Sequence, residues 1–484
     1  MTHTPPAPTR KAPGILLMVL MAAMAAGPVF NYGVGALSAT IVESYGITEG
    51  QYGFIITAVF VMAGLAAPLL GVLADRIDTR VQLTLIFGGV LVAFLLSATW
   101  QTYAVLLVAA LIAGLAQSFS NPVTNRIVAQ RVPLTQRSAW MGWKQSGVQV
   151  GLLVAGLTFP VVGAAFGWRG AALFGALLCV PLLVTGWTVV TRLQRRARES
   201  TPTTTPPAPV PEAPSAAGRA PAPPSDRPRA GLPGPTHEGP FESAHVDLPD
   251  AAADGVNPGP GQVSRERTGE RSGLRAAGAG ASGSGAAASS GALPPAVWLL
   301  TLTSFLNAVG TQGVNVYASL FAVRAMGYTV TVAGLLLGVM GVIGIGSRIG
   351  WGRVTGRLGR PAPLIQVMSL GGIVGLGLLV LAETTQQHWL MWLGVAFHAA
   401  LPLAANVVIN SGIVAAVPKE RIGVASGLVA TGMYLGFALG PVVVGQLVDL
   451  TGAFTAGWAA VAGAYVLCFV AAVVLGRVQR RVAA

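Results

Sequence analysis

Charge is what this sequence has least of. Only 10% of its 484 residues are Asp, Glu, Lys or Arg, against roughly 25% in an average soluble protein. So few charges cannot cover a soluble particle of this size, and a soluble enzyme is excluded before any motif is read. Cysteine is nearly absent too. Cys179 and Cys468 each sit alone inside an apolar run, with no metal or redox spacing around them, and they read as two buried apolar thiols. No His, Asp, Glu or Cys cluster offers metal or nucleophilic chemistry. The sequence therefore points to no enzyme, no cofactor and no metal. Strands of alternating polarity, the mark of a membrane barrel, are missing as well.

What is present is apolar residue after apolar residue: 53% hydrophobic and 63 glycines, with a mean hydropathy of +0.65. Runs this long satisfy their backbone hydrogen bonds in lipid only as helices. Candidate spans lie near 14–40, 51–73, 81–100, 103–129, 139–163 and 169–191, then near 296–322, 331–352, 363–382, 388–414, 422–447 and 455–476. The expected fold is an all-α membrane protein of twelve transmembrane helices in two six-helix bundles, residues 1–192 and 295–484. Residues 193–294 between them are rich in Ala, Pro, Gly, Ser and Thr, with Phe241 the lone aromatic. Such a composition buries too little apolar area to offset its ordering entropy. It reads as a disordered linker, or alternatively as a partner-binding tail.

The net charge of +13 does not indicate nucleic acid. Residues 193–293 hold 10 Arg and 10 acidic residues, which leaves 20 basic and 7 acidic residues for the rest of the chain. Most of those basic residues stand at the ends of apolar runs. With a cytoplasmic N-terminus, the inner connections carry Arg76, Arg80, Arg131, Arg137, Arg192, Arg353, Arg357, Arg360, Lys419, Arg421 and the tail arginines, while the outer ones carry only Arg169 and Arg324. The positive-inside rule then places both termini and the linker in the cytoplasm. The expected setting is a plasma (inner) membrane, with the lipid bilayer as the partner.

An internal repeat supports two equivalent halves. At an offset of 281 residues Arg76 meets Arg357, Asn125 meets Asn406, Gly151 meets Gly432 and Pro160 meets Pro441. Parallel six-span repeats about an axis along the membrane normal are a transporter architecture.

Here the residues resemble the major facilitator superfamily. Residues 71–80, GVLADRIDTR, are similar to its loop pattern G-x-L-a-D-R-x-G-r-K/R, and residues 352–360, GRVTGRLGR, are a weaker copy. The resemblance spans both halves and implies a permease that works as a monomer. It also implies a cytoplasmic gate at Gly71, Asp75, Arg76, Arg80, Gly352 and Arg357. Asp78 stands where the pattern has Gly, and Gly356 where the second half would have its acid, so the lock should be stronger in the first half. The family's Arg early in span 4 is replaced by Ala110, and its Gly-Pro exporter motif in span 5 is incomplete at Phe159-Pro160.

Polar side chains inside spans are costly and face the interior. Gln117, Asn121 and Asn125 form one helical stripe, as do His398, Asn406 and Asn410. Asn31 and Tyr32 in span 1 and Asn307, Gln312 and Asn315 in span 7 add to them. The resemblance implies that spans 1, 4, 7 and 10 line a cavity. Arg126 and Lys144 are intramembrane cations without an acid in their own spans, a pattern that suits a small organic anion. Arg348 reads as a topology or gate residue. No acid occupies a span centre, so a buried carboxylate relay is missing, and His398 is the one mid-span group near neutral. The reading is a transporter of a small organic anion by alternating access. Drug efflux would want a site carboxylate and an aromatic-rich cavity, and a membrane sensor would want a foldable linker module.

Overall fold

The computed structural model describes residues 14–199, 293–418 and 421–483. The bulk of the expected linker lies outside the described residues, as do Lys419 and, beyond their helical backbone, Gly71 and Asp75. Every described element is helical. Ten described stretches are long and apolar enough to cross a membrane. One of them, Ala139–Arg192, has 54 residues and makes two crossings. A further helix, Pro295–Arg324, is more polar, because its Asn307, Thr311, Gln312 and Asn315 are buried inward. Twelve spans result.

Spans 1 to 4 are Gly14–Ala36, Glu49–Arg76, Thr79–Thr99 and Tyr103–Arg131. Spans 5 and 6 are the two arms of Leu134–Glu199, on either side of Gly167. That glycine stands at φ 64°, ψ −171°, a conformation that only a residue without a Cβ adopts readily. Spans 7 to 9 are Pro295–Arg324, Val330–Leu358 and Pro361–Thr385; spans 11 and 12 are Ile422–Thr451 and Phe454–Ala483. Local chemistry starts several of them. Thr48 opens span 2 with a capping box: it accepts from Gln51 N at 3.1 Å while Gln51 Oε1 accepts from Thr48 N at 3.0 Å. Asp78 caps span 3 by accepting from Arg80 N at 2.8 Å.

Two elements differ from the sequence expectation. The first span ends at Ala36, and a short helix Ser38–Tyr45 follows it. Span 10 is broken into His388–Ala400, a 3-10 turn Pro402–Ala404 and Ala405–Ala416. Pro402 has no N–H and crowds the preceding turn, so the helix cannot run through it. The break is held from outside. Ala400 O accepts from Ser347 Oγ at 2.7 Å and Trp351 Nε1 at 2.8 Å, and Pro402 O accepts from Asn307 Nδ2 at 3.3 Å.

Span 5 packs on span 1 and span 11 on span 7, the equivalent pair in each half. Glycines set both contacts. A Cβ on Gly147 would strike Met21 O, and one on Gly436 would strike Phe305 O. Backbones approach this closely only where side chains are absent. Gly436→Ala is therefore expected to cost about 1–3 kcal/mol by overpacking. Gly427→Ala, on the same helix and facing open space, should be neutral or better. Melting temperatures of the two purified variants check this; equal values would reject the close-packing account. The two cysteines are free and buried.

The halves meet unevenly. On the face away from the termini, Asp449 Oδ2 accepts from Thr48 Oγ1 at 2.7 Å and Gly50 N at 2.9 Å. Tyr317 Oη donates to Glu49 O at 2.6 Å, Thr57 Oγ1 to Ala438 O at 2.7 Å and Ser319 Oγ to Ala36 O at 3.2 Å. Span 5 meets span 8 where Gly334 lies against Pro160 and Gly341 against Leu153. The contacts of Arg348 with span 5 lie nearer the termini than these. Beyond them Asn125, Trp143, Asn410 and Val424 are exposed. Among the described residues the cross-half hydrogen bonds gather on the distal face.

Candidate functional site

Between the halves lies a cavity of about 740 Å³, its open mouth included. Spans 1, 4, 7 and 10 supply Asn31, Tyr32, Gln117, Asn121, Gln312, Asn315 and Asn406. All seven are sequence-expected site residues, and the structure brings them to one cavity. Polar stripes converge in this way because each span turns its costly groups from lipid toward the space between the halves. Met24, Phe60, Tyr434 and Phe437 add an apolar, partly aromatic surface. Phe60 and Phe437 pack across the halves with ring centroids 5.0 Å apart.

The cation in this wall is Arg348, from span 8. Its Nη1 donates to Gln145 O at 3.3 Å. With the Gln149 amide oxygen facing it, Gln149 Oε1 accepts from Nε at 3.2 Å and Nη2 at 2.9 Å. A guanidinium carries five N–H donors in a planar fork, so two remain after span 5 has taken three. No carboxylate lines the cavity among the described residues.

Sequence reasoning read Arg348 as a topology or gate residue and not as a cavity group, and it missed Gln145 and the aromatic surface. The available signal was position: Arg348 stands ten residues before the end of Val330–Leu358, about 15 Å of helix, too deep for a loop charge. Gln145 and Gln149 share a face of span 5 one turn apart, and that stripe was hidden among the glycines.

The other expected residues sit elsewhere. Lys144 is 2% exposed and packed between spans 1, 4 and 5. Its Nζ donates to Thr124 Oγ1 at 2.9 Å and Asn121 Oδ1 at 3.4 Å and touches Met24 Sδ at 4.0 Å. His398 is buried behind Asn315, with Nε2 3.2 Å from Asn315 Oδ1. Asn307 bonds Thr311 Oγ1 at 3.3 Å and the span 10 break. Asn125 and Arg126 lie toward the terminal face and do not line the cavity. Among the expected gate residues, Arg76 and Arg357 are exposed. Arg80 lies 3.9 Å from Asp78 and 5.9 Å from the centre of the Trp187 ring. Gly352 faces Val407.

Known proteins share this architecture. A bacterial homolog of the human lysosomal transporter Spinster, in an inward-facing and unoccupied conformation, superposes with a TM-score of 0.61. The match covers 96% of this chain and 95% of that one at 14% identity. The nucleoside transporter NupG matches at a TM-score of 0.59 and 12% identity, over 96% and 99% of the two chains. These likenesses establish the fold. The family model described as Major Facilitator Superfamily matches residues 15–411. Twelve spans around one cavity and a family match over most of its length make this chain a multi-pass membrane transporter of the Major Facilitator Superfamily.

Proposed function

We propose that the protein moves a small organic anion by alternating access. The observation that carries this reading is Arg348, a guanidinium bordering a cavity that no described carboxylate lines. In a low-dielectric space an unbalanced cation attracts an anion, and charge-assisted hydrogen bonds hold it. The amides and Tyr32 around it suit a ligand with further polar groups. Phe60, Tyr434 and Phe437 suit an apolar body. A hydrophobic cation would find a like charge here and no counter-charge, which weighs against drug efflux.

The basic residues of the connections favour a cytoplasmic terminal face in the plasma membrane, so the cavity would open to the cytoplasm. Rocking of residues 1–192 against 295–484 would expose it to the other side. Residues 193–294 would serve as a tether on the cytoplasmic side, and one chain would suffice.

Purified protein in liposomes, offered a panel of small organic acids and bases, tests the reading. Saturable uptake of acids without uptake of bases is expected. Uptake of bases alone would reverse the assignment in favour of drug efflux.

A further inference from the structure

Three cavity amides share a pattern. Asn121 Oδ1 accepts from Lys144 Nζ at 3.4 Å, Gln117 Oε1 from Asn31 Nδ2 at 2.8 Å, and Asn315 Oδ1 lies 3.2 Å from His398 Nε2. Lys144 and His398 come from the protein interior, whereas Asn31 itself borders the cavity and leaves its own Oδ1 without a partner. The corresponding nitrogens of Asn121, Gln117 and Asn315 donate to no other described residue, and all three residues border the cavity. An amide carries a donor end and an acceptor end. Once its oxygen is engaged from behind, the NH2 is what it offers in front.

Lys144 fixes the direction of the pattern. An ammonium donates and cannot accept, so only the oxygen of Asn121 can face it. Its three hydrogens match three neighbours, Thr124 Oγ1, Asn121 Oδ1 and Met24 Sδ. Thr124 is itself turned to receive it, because its own hydroxyl donates to Ser120 O at 2.6 Å. Lys144 is 2% exposed, so it has neither a spare donor nor a path to a ligand in this state. His398 and Asn31 fix no such direction for Asn315 and Gln117, because an imidazole nitrogen or an amide can either donate or accept.

We infer that Lys144 is a positioning residue: by holding the oxygen of Asn121 it presents the Asn121 NH2 to the cavity, which with the Arg348 guanidinium supplies hydrogen-bond donors that select ligands rich in acceptors. The class favoured is a deprotonated carboxylic or sulfonic acid over its own primary amide, which places donors against donors. This rests on the anion reading above and adds to it a specific role for Lys144 that does not touch the ligand.

The test uses matched probes on purified protein, benzoate with benzamide and lactate with lactamide. The wild type should bind each acid at least tenfold more tightly than its amide. Lys144→Met frees Asn121 to turn and should lower that ratio about tenfold. Asn121→Asp keeps an acceptor for Lys144 but removes the NH2, and should lower the ratio equally. It also serves if Lys144→Met fails to fold. A general packing defect would weaken acid and amide alike and leave the ratio unchanged; that outcome overturns the inference. In the double variant Asn121→Ala with Lys144→Met, the loss should be no larger than in Asn121→Ala alone, since Lys144 acts through Asn121. Additive losses would show that Lys144 touches the ligand itself and overturn the positioning role. If neither acid binds the folded wild type, the anion reading falls and this inference with it.

Discussion

Arg348→Gln is expected to weaken binding of a transported organic acid by about tenfold to a hundredfold while leaving the protein folded. Hydrogen bonds to charged groups contribute roughly 1.5–3 kcal/mol, and about 1.4 kcal/mol is a factor of ten. The variant keeps a polar side chain that can still meet Gln145 O and Gln149, the groups that hold the guanidinium now. It loses the charge and the two remaining N–H donors. Arg348→Lys should recover little, because an ammonium lacks the planar fork. Arg126→Gln, on a side chain outside the cavity wall, should lose less. Titration of the purified variants with one transported acid measures all three. Wild-type affinity in Arg348→Gln would remove the cation from the site.

The second large effect concerns the closed distal face. Asp449, at the end of span 11, caps the first turn of span 2 in the other half through Thr48 Oγ1 and Gly50 N. A carboxylate is favourable there because the helix N-terminus carries partial positive charge and unpaired N–H groups. Opening this face must break both bonds. Asp449→Ala removes them from the closed state only. At roughly 1.5–3 kcal/mol for hydrogen bonds to a charged group, the distally open population should rise about tenfold to a hundredfold. Glu383 provides the control. It caps span 12 within its own half, accepting from Phe454 N at 2.9 Å and Thr455 Oγ1 at 2.8 Å. Glu383→Ala should lower the melting temperature without moving the conformational balance. Distances between spin labels on spans 2 and 11 report that balance. Equal shifts in the two variants would show that Asp449 stabilises the fold and does not latch it.

Much of the scaffold was legible in the sequence because lipid simplifies the problem. Backbone groups must pair within a segment, so apolar length alone located the spans, and costly Asn and Gln marked the inward faces. Asn31, Gln117, Asn121, Gln312, Asn315 and Asn406 reached one cavity for that reason. The span 10 break was foreshadowed by Pro402, but a span-length window averages over a single proline. Arg348 was read as a topology or gate residue because a basic residue near a span end satisfies the topology rule, and its depth shows only once the helix boundary is known. Lys144 was read as an intramembrane cation, and the structure buries it. Whether it faced the cavity or the bundle interior depended on Met24 and Thr124, which lie 120 and 20 residues away in sequence. Contacts between distant positions have no signature in a single sequence. The Asp449 cap was hidden for the same reason, since its partners lie 399 and 401 residues away.

A structure of the protein with a transported organic acid tests the central claim most directly. The account predicts the acid group about 2.7–2.9 Å from the Arg348 guanidinium, as charge-assisted hydrogen bonds require, with the Asn121 NH2 turned toward it. An acid bound away from Arg348, with the guanidinium still committed to Gln145 and Gln149 alone, would contradict it.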